Sequence, residues 1–344
     1  MFLTLCYSCS GEHPATAAND SDQTVHAIIG DTVAGLGKDV GCILQDKYGN
    51  YWFASNGEGV FRYDGRAWVH FSNKQGLCSE YVFKIQEDTN GYLWFTTRDG
   101  VCCYNGKMFV DFTYAIKSAP FRKLNYAEGG LFFGHPVGVC FYDGESFSNF
   151  LISPKEYLPS QSDMSRPYDI YSTLVDDHGN VWFGTQSEGV CRYDGATFFY
   201  LKGKNLAGPA VRAICQDHSG NLWFGNNGGG LYRYDGNVLT NITDENALGN
   251  PEFLKGRYSD KPGSLARVWK IVEDNQGELW IGTIDAGVWR YDGKTLKNYT
   301  TSDGLTGNSI WEIYKDRTGR LLFVTDGEKV SEFNGGTFSE MSFE

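Results

Sequence analysis

The sequence predicts an all-β fold, a seven-bladed β-propeller of four-stranded antiparallel blades. Three observations predict it. An Asp-x-x-Gly turn followed by a Trp-containing apolar run recurs along the chain. A Tyr-Asp-Gly mark follows each copy. The 344 residues include 43 glycines and are 15% aromatic, a composition of strands and tight turns rather than helices.

The first mark opens as Asp46-Lys-Tyr-Gly49-Asn-Tyr-Trp52-Phe and returns at Asp88–Trp94, Asp176–Trp182, Asp217–Trp223 and Asp274–Trp280. Two copies are degenerate: Gly130-Leu-Phe132-Phe-Gly134, and Asp316-Arg-Thr-Gly319-Arg-Leu-Leu322-Phe. The second mark stands at Gly65, Gly106, Gly144, Gly195, Gly236, Gly293 and Gly335, each preceded by Asp or Asn and then Tyr or Phe. Asp in the first place of a four-residue turn bonds back to the backbone, and Gly suits the last place. Asp-Gly or Asn-Gly tolerates positive φ at both central residues, so the second mark is expected to be a two-residue type I′ hairpin. Each unit then has four strands; in the sixth they are Arg267–Glu273, Glu278–Thr283, Gly287–Tyr291 and Thr295–Tyr299. Seven such units make a propeller.

The blades are expected to start near residues 39, 80, 120, 169, 209, 266 and 308. One blade cannot bury both of its faces alone, so residues 24–344 are expected to form a single ring. Two terminal segments compete for the outer edge at the closure, Val25–Ile29 and Thr337–Phe343, and the sequence leaves that choice open. Cys102, Cys140 and Cys191 take the third-strand place that Phe61, Tyr232 and Trp289 take elsewhere, so they read as free thiols packed between blades.

A net charge of −12 argues against nucleic acid, whose phosphates this surface would repel. No run of 18 apolar residues is long enough for a membrane-spanning helix. The nine cysteines are odd in number and lack zinc-type spacing, so neither a metal site nor a disulfide framework is expected. Near the start, the apolar run Phe2–Ser8 followed by Cys9-Ser-Gly resembles the end of a bacterial lipoprotein signal, although no Lys or Arg precedes it. On that reading residues 1–23 are a signal remnant and flexible tether, with Cys9 lipidated and membrane contact through that anchor alone; otherwise Cys6 and Cys9 are ordinary cysteines of a frayed end.

The stretch from Ile271 to Gly293 resembles the two-component regulator propeller repeat, as does the linker Thr300-Thr-Ser-Asp-Gly-Leu305-Thr-Gly-Asn-Ser-Ile310. Asn73-Lys-Gln-Gly-Leu77 is a looser match, and the resemblance runs from Gly41 to about Phe338. In that family such propellers commonly form the periplasmic sensor of hybrid two-component histidine kinases. The resemblance implies a bacterial periplasmic or cell-surface location. No kinase or DNA-binding domain follows the last blade before Glu344, so a sensor role is expected to need a partner.

Strand directions alternate within a blade, so inter-blade connections and second-to-third-strand loops share one rim. Two irregular insertions lie there, Leu151–Tyr171 and Asp244–Leu265. Inner strands line the channel, and near its mouth fall Tyr81, Tyr171, Arg212, Arg267, Trp269 and Trp311. The rim loops add Glu58, Arg98, His135, Glu188, Asn226 and Asp285. Aromatic faces stack on sugars or peptides, and guanidinium groups bind carboxylates or carbonyls in two-point fashion. The candidate ligand-binding set is therefore Tyr81, Arg98, His135, Tyr171, Arg212, Arg267, Trp269 and Trp311. Each residue also has a purely structural reading.

No Gly-x-Ser-x-Gly elbow, His-Glu-x-x-His pair or phosphate loop is present. The expected function is non-enzymatic binding of a glycan, a peptide or an envelope protein, without cofactor. The alternatives are a lyase- or lactonase-like enzyme, for which His135 and Glu188 would have to converge, and a pure assembly scaffold.

Overall fold

A computed structural model describes residues 30–126, 128–135, 138–153, 166–257, 261–326 and 329–342. They form seven antiparallel sheets in a ring, with few helices. Blades two, four, five, six and seven have four strands each, in sequence order from the channel outward. Blade six runs Val268–Glu273, Leu279–Thr283, Val288–Tyr291 and Leu296–Tyr299, within a residue of the expected limits.

The repeated aspartate does more than close its turn. Asp274 Oδ1 accepts from the backbone N–H of Gln276 and Glu278, and Oδ2 accepts from the Trp280 indole at 2.8 Å. The same indole bond joins Trp52 to Asp46, Trp94 to Asp88, Trp182 to Asp176 and Trp223 to Asp217. The spacing of six residues in the mark is thus set by the reach from turn to indole.

The second mark departs from expectation. Gly65 has φ +89° and Gly293 +90°, but Asp64 and Asp292 are not in the positive-φ region. Tyr63 pairs with Trp68, so the loop holds four residues, not two. Asp64 Oδ1 accepts from the N–H of Arg66 and Ala67, and Asp292 does the same for Lys294 and Thr295. The side chain supplies the acceptor that a type I′ backbone would have supplied. At the head of the third strand Gly287 (φ +73°) is obligatory: a Cβ there would lie 2.1 Å from the Tyr299 carbonyl oxygen.

The core is a ring of seven apolar clusters, one in each seam between neighbouring blades. Cys102, Cys140 and Cys191 are wholly buried in them as free thiols, opposite Phe95, Phe133 and Phe183. Inter-blade linkers are pinned by small caps. Ser72 with Gln75, and Thr300 with Asp303, form reciprocal side-chain–backbone boxes ended by Gly76 and Gly304 in the left-handed conformation.

The two ends take separate places. Phe338–Glu340 is the outer strand of blade seven. Asp31–Val33 adds a fifth strand to the edge of blade one, pairing with Trp68–Phe71. Val25–Ile29, the other expected candidate, lies outside the described residues, as do Cys6 and Cys9. Among the described residues the ring closes by side-chain contact. Gln45 Oε1 accepts from the Arg317 N–H at 3.1 Å, the Tyr314 hydroxyl receives the Gln45 N–H, and the Tyr51 hydroxyl donates to Asp316 at 2.7 Å.

Blade three differs. Its sheet has three strands, Leu131–His135, Gly138–Tyr142 and Phe147–Phe150, and among the described residues no inner strand covers the first of them. The segment expected to supply it near residue 120 instead forms the helical turn Thr113–Ser118 and a parallel bridge from Phe121 to Asn149 on the outer strand. The chain then crosses the seam with blade four, where Leu124 is buried and its carbonyl receives the Tyr193 hydroxyl.

Candidate binding site at the channel mouth

Six inner strands share one irregularity. Each carries a register shift between its first and third residues. The extra residues are Gly41, Phe83, Tyr171, Arg212, Trp269 and Trp311. A bulge leaves one residue out of the ladder and re-aims its side chain. Repeated around the ring, it sets a collar of five side chains at the mouth. Phe83, Tyr171 and Trp311 are exposed there despite their size.

The collar borders a cavity of about 810 Å³ lined by Asp39, Phe83, Tyr171, Arg212, Trp269 and Trp311 among others. That volume lies within the usual range for small-ligand sites. The Arg212 guanidinium is sandwiched 3.8 Å from the Tyr171 ring centre and 4.5 Å from that of Trp269. Its Nε is buried with no hydrogen-bond partner among the described residues, and burial lowers its pKa. Trp269 meets Trp311 edge to face, ring centres 5.2 Å apart.

One layer deeper, three of the six third residues of the inner strands, Lys84, Lys270 and Glu312, form a charged group that sequence reading missed. Lys270 Nζ lies 2.6 Å from Glu312 Oε1. Burial raises the Glu312 pKa, with Lys270 opposing it. Lys84 faces the lumen; desolvation, helped by Lys270, pushes it down to about 8. Cys42, Ser172 and Ala213 are the other third residues, the Cys42 thiol pushed up to about 11 first by burial and then by Glu312. No motif marks these residues; only equal register across blades brings them together.

Of the eight residues expected to bind ligand, Tyr171, Arg212, Trp269 and Trp311 line this cavity. Arg267 does not: it is buried and paired with Asp285 at 3.0 Å, and its Nε donates to Asn227, which also receives the Trp269 indole. Its place is behind the collar, holding Trp269. Arg98 lies 3.3 Å over the Tyr81 ring, away from the cavity lining. His135 ends the first strand of blade three, and its side chain lies outside the described set. Asn226 is buried and donates to the carbonyls of Leu206 and Pro209, while Glu188 pairs with Lys202. The described residues around the insertion 244–265 include two short helical turns, Ile242–Glu245 and Pro251–Leu254, and put Phe253 under Arg267. Residues 154–165 of the other insertion lie outside the described residues. Asp176, Asp177 and His178 bring three ligand atoms within 4.8 Å of one another, but Asp176 is engaged by Trp182 and Asn180 in a turn on the opposite rim.

Fold and mouth together define a seven-bladed propeller with a ligand-sized channel. Four stretches of the chain, residues 35–57, 76–99, 205–228 and 262–285, match the family model described as two-component regulator propeller. These matches fall on blades one, two, five and six, where both marks are intact. No curated protein matches the sequence.

Among solved structures, a streptogramin B lyase is 14% identical with a TM-score of 0.63, over 90% of this chain and 96% of that one. A virginiamycin B lyase from Staphylococcus aureus is 15% identical with a TM-score of 0.61, over 88% and 96%. These show the shared fold. The extracellular domain of a putative hybrid two-component system from B. thetaiotaomicron is 19% identical with a TM-score of 0.45. It is matched over 91% of this chain and 53% of its own, so the chain spans about half its length.

Proposed function

We propose that this chain is a non-enzymatic binding module of two-component signalling, working outside the cytoplasm at the bacterial envelope and taking a glycan or peptide at the channel mouth. The collar of bulged residues carries this reading. Six blades each depart from a regular ladder at the same place, and five of the re-aimed side chains are aromatic or arginine. Stacked aromatic faces with a guanidinium between them fit the apolar face of a sugar ring or an aromatic side chain. The family supports the signalling connection. Cys9 is proposed as a lipid anchor, and an envelope partner is proposed as the recipient of the signal. Fatty-acid labelling lost in Cys9→Ala tests the anchor.

A thermal-shift screen of residues 24–344 against glycans, peptides and divalent metals tests the site. A ligand that binds only the folded state raises Tm by mass action. A shift with one glycan or peptide class, lost in Trp311→Ala, supports the reading. A shift with metal alone favours an enzyme, the activity named for the lyases that share the fold. No shift favours a scaffold and overturns the mouth as a ligand site.

A further inference from the structure

The gap in blade three and the charged group beneath the collar meet at one place. In blade four, Trp182 and Gly184 pair inward with Leu174 and Ser172. Their counterparts in blade three are Phe132 and Gly134, and among the described residues these have a partner only on the outer side. The opening is real space. Thr96 of blade two and Val139 of blade three, from second and third strands, line the cavity. A Cβ built on Gly134 would meet nothing within 4 Å. A sheet edge with unpaired amides beside a cavity is a template for an added strand.

The neighbouring charges say what such a strand would carry. Lys270, third in the inner strand of blade six, holds Glu312, third in the inner strand of blade seven. Lys84 is third in the inner strand of blade two, and the next blade in the same sense around the ring is blade three. No carboxylate among the described residues lies within ion-pair distance of Lys84; Glu312 acts on it only at longer range. The place that Glu312 fills beside Lys270 has its equivalent beside Lys84, on the inner strand that blade three lacks among the described residues.

We propose that blade three is completed by an extended peptide of about six residues with a glutamate in third place, which adds antiparallel to Leu131–His135 and sets that carboxylate against Lys84. Six residues is the length of every inner strand present. The peptide would enter through the collar. The proposal therefore rests on the mouth as a binding site and narrows its ligand from glycan or peptide to peptide.

The test uses a fluorescent hexapeptide, Ile-Trp-Glu-Ile-Tyr-Lys, the inner strand of blade seven, titrated into the chain by anisotropy. Saturable binding is expected. Replacing its glutamate by glutamine, or Lys84→Gln in the protein, should each weaken binding about tenfold, and the two losses should not add. Lys84→Glu should bind instead a peptide with lysine in third place. Backbone alternation aims the third and fifth peptide amides at the sheet edge, so N-methylation at either should abolish binding and N-methylation at the fourth should not. An amidated C-terminus should bind as well as a free one; loss on amidation would move the carboxylate from side chain to chain end and overturn the register. Binding insensitive to N-methylation and to Lys84 overturns strand addition and leaves the mouth intact as a site. No binding of this or a glutamate-scanned set overturns the proposal.

Discussion

The carboxylate of Asp274 accepts the indole N–H of Trp280 at 2.8 Å and two backbone N–H groups of its own turn. Both residues are buried. Asp274→Ala strands three donors at once, and each buried orphan costs roughly 1–3 kcal/mol. A loss of about 3 kcal/mol in urea unfolding is expected, with ligand binding at the mouth unchanged after correction for folding.

Blade seven has Leu322 where five of the other blades have tryptophan, and its Asp316 serves Thr318, Arg320 and Tyr51 instead. Burial opposes ionisation of Asp316, but these hydrogen bonds win and hold its pKa at about 2. The unfolded value is higher, so the folded state binds fewer protons and stability rises with pH. The contribution is complete above about pH 4 and is lost as pH falls towards 2. Unfolding midpoints across that window should fall less in Asp316→Asn than in the parent chain.

Among the described residues no shared strand links the first and last blades, and the Tyr51–Asp316–Arg320 contact is one polar clasp of that seam, beside the Gln45 bonds to Tyr314 and Arg317. Tyr51→Phe should cost about 1–2 kcal/mol. Hydrogen exchange should quicken first in Tyr51–Ser55 and Leu321–Thr325, not evenly around the ring; even quickening would contradict a clasp role.

Arg267 and Trp311 should behave oppositely. Arg267→Ala leaves Asp285 buried without its cation and should cost about 3 kcal/mol or more. Trp311→Ala loses one edge-to-face contact with Trp269, a matter of about 1 kcal/mol, but should abolish binding at the mouth.

Cys102, Cys140 and Cys191 are fully buried, and desolvation pushes the Cys140 and Cys191 thiols up to about 12. Thiolate is the reactive form. Iodoacetamide at pH 8 should leave these three unlabelled in the native chain and label them after urea unfolding, as mass spectrometry would read.

Blade number, strand order and the seam cysteines were legible in sequence because each repeats with its own turn chemistry. Trp182 and its turn could be read from Asp176 and Gly179 alone. The mouth residues Tyr171, Arg212, Trp269 and Trp311 were legible because they fall early in strands whose place in the blade is known. The loop at Asp64-Gly65 was misread because Asp-Gly fits two loop lengths, and only the side-chain bond to Ala67 separates them.

By itself the sequence determined what is local and periodic: seven blades, their Asp-x-x-Gly turns where the mark is intact, and the faces they bury. Tertiary structure decided what depends on register between blades distant in sequence. Lys270 and Glu312 are 42 positions apart in the chain and meet only because both stand third in adjacent inner strands. Arg267 was turned from the lumen by Asp285. Among the described residues blade three has no inner strand, the segment expected to supply it taking an outer path along Asn149, where its backbone finds other partners.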